Sequence, residues 1–150
     1  MRIVVQRVSN SSVEVNNEIV GSINAGLLLL VGVTHEDNVE DINWLSKKIA
    51  SLRLFRDEND KMNLSVKDVG GKVLVVSQFT LFSSTKKGTR PSFMNAALPN
   101  KAEELYELFL KSMSKELGQS VEAGVFGADM KLSIVNDGPV TILLDSKNKE

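Results

Sequence analysis

Hydrophobic and polar positions change period several times along the chain, and each change predicts an element. Residues 2–8 alternate and are rich in β-branched side chains. They predict a strand with Ile3, Val5 and Arg7 on one face and Val4, Gln6 and Val8 on the other. The polar run Ser9–Ser12 predicts a turn. Val13–Val15, Asn16-Asn17 and Ile19–Ile23 then follow as a hairpin. After Ala25-Gly26 the unbroken apolar run Leu27–Val33 predicts a strand covered on both faces. The period changes next to that of a helix: Val39, Ile42, Leu45, Ile49 and Leu52 form one stripe, with Trp44 packing at its side. Asp37 with Glu40 predicts its cap. A short strand at Arg53–Arg56, a polar turn at Asp57–Asp60 and a return at Lys61–Leu64 lead to the strongest strand pattern, Lys72–Leu81. A second helix carries Ala102, Leu105, Tyr106, Phe109 and Met113, with Asn100 and Glu103 as capping box and Gly118 as stop. Lys131–Val135 and Val140–Asp145 predict two strands joined by a turn at Gly138-Pro139. Residues 146–150 are polar and predicted to fray.

Seven or eight strands and two helices that follow blocks of strands predict an α+β, β-rich fold. The expected architecture is a curled, barrel-like, mainly antiparallel sheet with two main helices. A chain of 150 residues with no repeat and no linker fits one domain over residues 1–150. The longest apolar run is far too short to span a membrane, and Met1–Val5 reads as strand, not export signal, so the expected compartment is the cytoplasm. The absence of cysteine excludes disulfides, thiolate catalysis and zinc–sulfur sites. A net charge of −1 excludes a surface coated in positive charge, but the distribution is uneven. No acidic residue falls between Asp68 and Glu103, while Lys72, Lys86, Lys87, Arg90 and Lys101 do. That stretch is either a solvated loop or a local partner for phosphate.

Side-chain chemistry is thinly supplied. The single histidine, His35, sits on a loop, and no set of His, Cys or clustered carboxylates has the spacing of a metal site. No glycine-rich phosphate loop is present. Ser77-Gln78-Phe79-Thr80 puts polar residues into an apolar run, so these side chains are either paired or face a cleft. Thr80 is a possible nucleophile without an evident base. Gly138-Pro139, a tight turn when taken alone, leaves main-chain carbonyls without ladder partners. The available assets are backbone groups, hydroxyls and amides, which favours a substrate that brings its own reactive group.

Two motifs read together resemble the paired signatures of the D-aminoacyl-tRNA deacylases: Ser77-Gln78-Phe79-Thr80-Leu81 and Asn136-Asp137-Gly138-Pro139-Val140-Thr141. The likeness runs from Gln6-Arg7-Val8 through Gly26-Leu27-Leu28, Lys61-Met62-Asn63 and Lys87–Phe93 to Gly124–Met130. Asn10-Ser11-Ser12 and Val125 depart from it. The resemblance implies a homodimer of small β-barrel-like subunits with the active site at the subunit interface. It implies hydrolysis of the ester between a D-amino acid and the 3′-terminal adenosine of tRNA, with no metal, cofactor, DNA or membrane. Ser77, Gln78, Phe79 and Thr80 are then the catalytic segment, with N–H groups near Phe79 and Thr80 stabilising the oxyanion. The ribose 2′-hydroxyl activates water. A cis Gly138-Pro139 bond reaches into the partner's pocket, where main-chain oxygens hold the substrate amino group and exclude an L side chain. Glycine, as in glycyl-tRNA mischarged on tRNA(Ala), slips in. Lys86, Lys87 and Arg90 are expected on tRNA phosphates, and Asn136 supports the Gly-Pro loop. Two positions stay open between roles: Phe126 as adenine wall or core, and Arg7 as brace of the loop or ordinary surface arginine. Rival functions are a dimeric RNA-binding module without catalysis and a Thr-dependent hydrolase of small esters or amides.

Overall fold

The computed structural model describes residues 1–149. Its spine is β1 (Arg2–Val15), which pairs antiparallel with three other strands. The first half of β1 pairs with β3 (Gly26–Gly32), and the second half with β2 (Glu18–Ile23). Along its other edge lies β8 (Lys131–Asp145). From β3 the sheet continues through β6 (Lys72–Ser77) to β7 (Glu122–Ala123), and both of these pairings are parallel. A small hairpin, β4 (Phe55–Arg56) with β5 (Met62–Leu64), stands apart. The sheet then nearly closes on itself. A β-carbon at Gly21 of β2 would lie 2.8 Å from the carbonyl oxygen of Ala123 in β7, so only glycine lets the two ends approach.

The sheet is curled and mainly antiparallel, as expected, with the parallel pairings confined to β3–β6 and β6–β7, and the reason for these is the connections. Parallel neighbours need long crossovers, and here α1 (Val39–Ser51) and α2 (Pro99–Leu117) supply them. The helices pack together over one face of the sheet. Ile42, Leu45, Ile49, Tyr106, Phe109 and Met113 meet Ile3, Val5, Leu27, Leu29 and Val75 in the main core. A second core fills the barrel, built on Val8, Val13, Ile23, Leu28, Leu74 and Val76. Because β3 lies between the two cores, its residues are apolar on both faces.

Several local expectations change. Ser9–Ser12 is not a turn: β1 runs through it, and Ser11 points inward with its hydroxyl donating to the Ser133 carbonyl at 2.9 Å. A shift in register between Val8 and Asn10 hands the buried face from one core to the other. Asn16 and Asn17 do turn, both at positive φ. The cap of α1 is Asn38, not Asp37. Asn38 accepts from the Glu40 N–H at 2.8 Å, and Asp41 accepts from the Asn38 N–H at 2.9 Å. Asp37 is buried and pairs with the Met1 amino group. Neither Asn100 nor Glu103 caps α2. Leu98 takes that position without a side-chain bond, and Pro99 in the first turn has no N–H to satisfy. Gly118 ends the helix at a φ of 69°.

Residues 146 and 147 are tied down instead of frayed, and residue 150 of that expectation lies outside the described residues. Ser146 is buried and its hydroxyl accepts from the Met1 amino group at 2.8 Å. The Lys147 ammonium pairs with Asp41 at 2.8 Å. Burial works against the charge on Asp41. The Lys147 ammonium, the Ser146 hydroxyl, the Asn38 N–H and the N-terminal cation outweigh it and lower the carboxyl from 3.8 to about 2. A carboxylate depressed in the native state stabilises the fold above its ordinary pKa and loses that contribution as pH falls through the native value. The stabilisation should therefore amount to about 2 kcal/mol at neutral pH and fade between about pH 4 and 2. Denaturation of wild type and Asp41→Asn across that range should show their stability gap narrowing; a constant gap would refute the assignment.

Candidate active site

A cleft of about 610 Å³ opens where β3 and β6 end, bounded by Val31, Val33, Val76 and Ser77. Tyr106 of α2 and Phe126 wall it, their ring centroids 5.7 Å apart. The Tyr106 hydroxyl donates to the Val75 carbonyl at 3.0 Å. Burial, aided by the charge of Glu107, pushes this phenol well above its ordinary range, so it stays a neutral donor. Phe126 packs on the main core and also lines the cleft.

The strand expected over Lys72–Leu81 stops at Ser77, and Phe79–Phe82 curls into a 3-10 turn over the cleft mouth. Gly32 makes room for the curl, since a β-carbon there would lie 3.0 Å from both the Gln78 carbonyl and Leu81. The Gln78 N–H still bonds the Val31 carbonyl at 2.7 Å, and the turn begins after it. Among the described residues, no acceptor is bonded to the N–H groups of Phe79 and Thr80, the unfilled donors of a helical first turn. The Gln78 side-chain amide donates to the Thr80 hydroxyl. An amide is no base, and among the described residues no imidazole, amine or carboxylate bonds that hydroxyl. The His35 Nε2 lies 2.9 Å from the Met94 carbonyl on the rim.

Gly138-Pro139 does not reverse the chain. Asn136 pairs with Val8 and Thr141 with Gln6, so both predicted strands are one strand, β8, against the same partner. Residues 137–140 stand opposite Arg7 alone and are pushed out as a bulge. The Gly138-Pro139 peptide is cis, and Gly138 has a φ of 122°. Beneath the bulge lies Arg7, 3% exposed. Its Nε donates to the Asp137 carbonyl at 3.2 Å and pairs with the Asp137 carboxylate at 3.1 Å. Its Nη1 donates to the Leu54 carbonyl at 2.5 Å. Arg7 is therefore no surface arginine: it is buried and bonds the bulge from below. From the other side the Asn136 amide donates to the Arg7 and Val140 carbonyls, both at 3.0 Å. Asp137, Gly138 and Pro139 are exposed, and none of them lines the cleft of its own chain. Lys86, Lys87 and Arg90 are also exposed, on a loop closed by the Ser84–Ser92 bridge.

Within one chain, then, Ser77, Gln78, Phe79 and Phe126 meet at the cleft, while the bulge and the basic loop stand outside it. Sequence reasoning missed Phe93, Leu98 and Met130 as cleft residues; Phe93 and Met130 left a signal, as the last residues of the Lys87–Phe93 and Gly124–Met130 segments.

This geometry has known counterparts. The family model described as D-Tyr-tRNA(Tyr) deacylase matches residues 4–145. The chain belongs to the D-Tyr-tRNA(Tyr) deacylase family. Within it, the chain is 57% identical over 150 residues to a D-aminoacyl-tRNA deacylase of Flavobacterium psychrophilum, covering 100% of both sequences. It is 55% identical to that of Bacteroides thetaiotaomicron, again over 100% of both. Among solved structures, the c-Myc DNA Unwinding Element Binding Protein is 40% identical, with a TM-score of 0.90 over 97% of this chain and 98% of that one. A probable eukaryotic D-amino acid tRNA deacylase, 16% identical, shares the fold with a TM-score of 0.80 over 95% and 97%. The cleft turn and the braced bulge involve the two segments on which the resemblance rests, Ser77–Leu81 and Asn136–Thr141.

Proposed function

We propose that the cleft hydrolyses the ester of D-aminoacyl-tRNA, releasing the D-amino acid and tRNA. The observation that carries this reading is the pair of unbonded N–H groups at Phe79 and Thr80, on a fixed turn at the mouth of a largely apolar cleft. Donors held in place without a partner are suited to the oxyanion that forms when water attacks an ester carbonyl. The ester is already activated, so positioning and charge stabilisation suffice. With only an amide on Thr80, no side chain acts as base: the substrate's ribose 2′-hydroxyl accepts the proton of the attacking water as it passes its own to the departing 3′-oxygen.

Chirality is read by main chain. In a homodimer, the bulge of one subunit enters the cleft of the other, where the Gly138 and Pro139 carbonyls hold the substrate amino group and crowd out an L side chain. Glycine, lacking a side chain, is accepted, which extends the substrates to glycyl-tRNA(Ala). Three features support pairing of two copies. The bulge is braced but lies outside its own cleft. The outer edge of β8 pairs with no other described strand, and such an edge is normally covered. Val135 and Leu143 expose apolar surface beside it. Lys86, Lys87 and Arg90 take tRNA phosphates, and the work is done in the cytoplasm where tRNA is charged.

The test is turnover. Purified protein should deacylate D-Tyr-tRNA far faster than L-Tyr-tRNA, and a 2′-deoxy terminal adenosine should slow it sharply. Equal loss of both esters, or full activity on the deoxy substrate, would overturn the reading.

A further inference from the structure

Resting on the function proposed above, we propose that Phe93 and Met94 form a stacking platform for the base of the cytidine that precedes the terminal adenosine of tRNA. Four apolar side chains stand exposed along the cleft rim: Phe79 at 56%, Phe93 at 39%, Met94 at 85% and Leu98 at 70%. Such a cluster on a soluble chain marks a binding surface. Phe79 and Phe93 contact edge to face, with centroids 5.1 Å apart and planes at 69°. One ring thereby fixes the other and leaves a face open.

The rim is held firmly. The Thr34 hydroxyl donates to the Asn95 carbonyl at 2.6 Å, His35 bonds the Met94 carbonyl at 2.9 Å, and the Ala97 N–H donates to the Val33 carbonyl at 2.9 Å. At the other end, Ser84 and Ser92 exchange backbone bonds of 2.8 and 2.9 Å, so the basic loop starts where the rim stops. Among the described residues, Lys86, Lys87 and Arg90 have no carboxylate within 4.0 Å, and residues 69–102 contain none.

An aromatic face beside unpaired cations is the combination that holds single-stranded nucleic acid: bases stack while the backbone follows the charge. A second copy of the chain would bring acidic groups to balance those cations, or leave them buried at a cost. Once an aminoacyl-adenosine fills the cleft, the strand leaving it passes the rim before reaching the basic loop. The residue on the rim is then the nucleotide next to the adenosine.

Two minimal substrates test this: 3′-D-tyrosyl-adenosine and the same ester on the dinucleotide CpA. The ratio of their kcat/KM values isolates the added cytidine. In the wild type CpA should be favoured about 5- to 100-fold, the range of one stacked base. Phe93→Ala should bring the ratio towards one, Met94→Ala should lower it, and Phe93→Trp should keep it. Reading a ratio cancels any effect of Phe93 on the cleft itself, and circular dichroism checks that each variant folds. A wild-type ratio near one, or a ratio unmoved in Phe93→Ala, would overturn the platform while leaving the deacylase reading intact. If neither ester is cleaved, it is the proposed function that fails, and the platform with it. Loss of the dimer in Phe93→Ala or Met94→Ala, seen by sedimentation, would assign the rim to the subunit contact and likewise overturn the proposal.

Discussion

Replacing Arg7 with methionine should lower the melting temperature by about 5–10 °C and cut cleavage of D-Tyr-tRNA by about 100-fold. Arg7 follows Ile3 and Val5 on the inward face of β1, so its stem belongs to the core and its head must find acceptors there. It finds them on two separate segments: the Leu54 carbonyl after α1, and the carbonyl and carboxylate of Asp137 on the bulge. Methionine preserves the volume of the stem and supplies no donor. The Leu54 carbonyl then loses its partner under the bulge, at a cost of about 1–3 kcal/mol, and Asp137 loses its counter-charge. The bulge, no longer held from below by Arg7, shifts, and a displacement of about 1 Å at a positioned group is worth about two orders of magnitude in rate. Arg7→Lys separates the two effects. One ammonium replaces the charge but lacks the planar fork that reaches both segments, so stability should recover more than activity. Thermal denaturation and kcat/KM on D- and L-Tyr-tRNA provide the check. Wild-type activity in a folded Arg7→Met protein would reduce Arg7 to packing.

How far such a role is legible before folding depends on the range of the interactions behind it. Periodicity is local, and it gave both helices, the α2 stripe from Ala102 to Met113 and the doubly covered β3, because each depends on side chains a few residues apart. Ser9–Ser12 failed because Ser11 is satisfied by a carbonyl 122 residues away, which no local pattern reveals. The Gly-Pro segment failed as a turn for the same reason. Its neighbours Val135 and Val140 look like the ends of two strands until β1 is seen to pair with both halves. The cap of α1 slipped by one residue because Asp37 is claimed by the Met1 amino group, a contact across 36 residues. At the site, Ser77, Gln78 and Thr80 were legible as polar interruptions of an apolar run. The property that matters there, two N–H groups left without acceptors among the described residues, depends on a 3-10 curl for which a glycine on the neighbouring strand makes room. The resemblance supplied the pairing of the two motifs. The geometry adds that, in a single chain, the cleft and the bulge are apart.

Gly138→Ala should leave the fold nearly intact, reduce D-ester cleavage by about 100-fold, and narrow the preference for D over L. At a φ of 122° an L side chain is strained whatever the space around it. Here the space is also taken. The new β-carbon would lie 2.9 Å from both Arg7 Nη2 and a Val140 methyl, and 3.2 Å from the Val140 nitrogen. An exposed arginine would swing aside at little cost. This one is pinned by Leu54 and Asp137, so the bulge yields instead. Because the bulge is exposed and lies outside both cores, the stability cost should stay within about 1–3 kcal/mol. The activity cost is larger because the carbonyls of this segment are the proposed chirality gauge. The double variant Arg7→Met/Gly138→Ala decides between a clash and a general loosening. Methionine removes one of the two atoms that the β-carbon strikes and leaves the Val140 methyl, so a clash with Arg7 predicts a combined loss smaller than the sum of the two single losses. Strict additivity in ΔΔG, measured from kcat/KM on D-Tyr-tRNA, would mean that Arg7 and Gly138 act on the cleft by separate routes and that the contact between them does not set the height of the bulge.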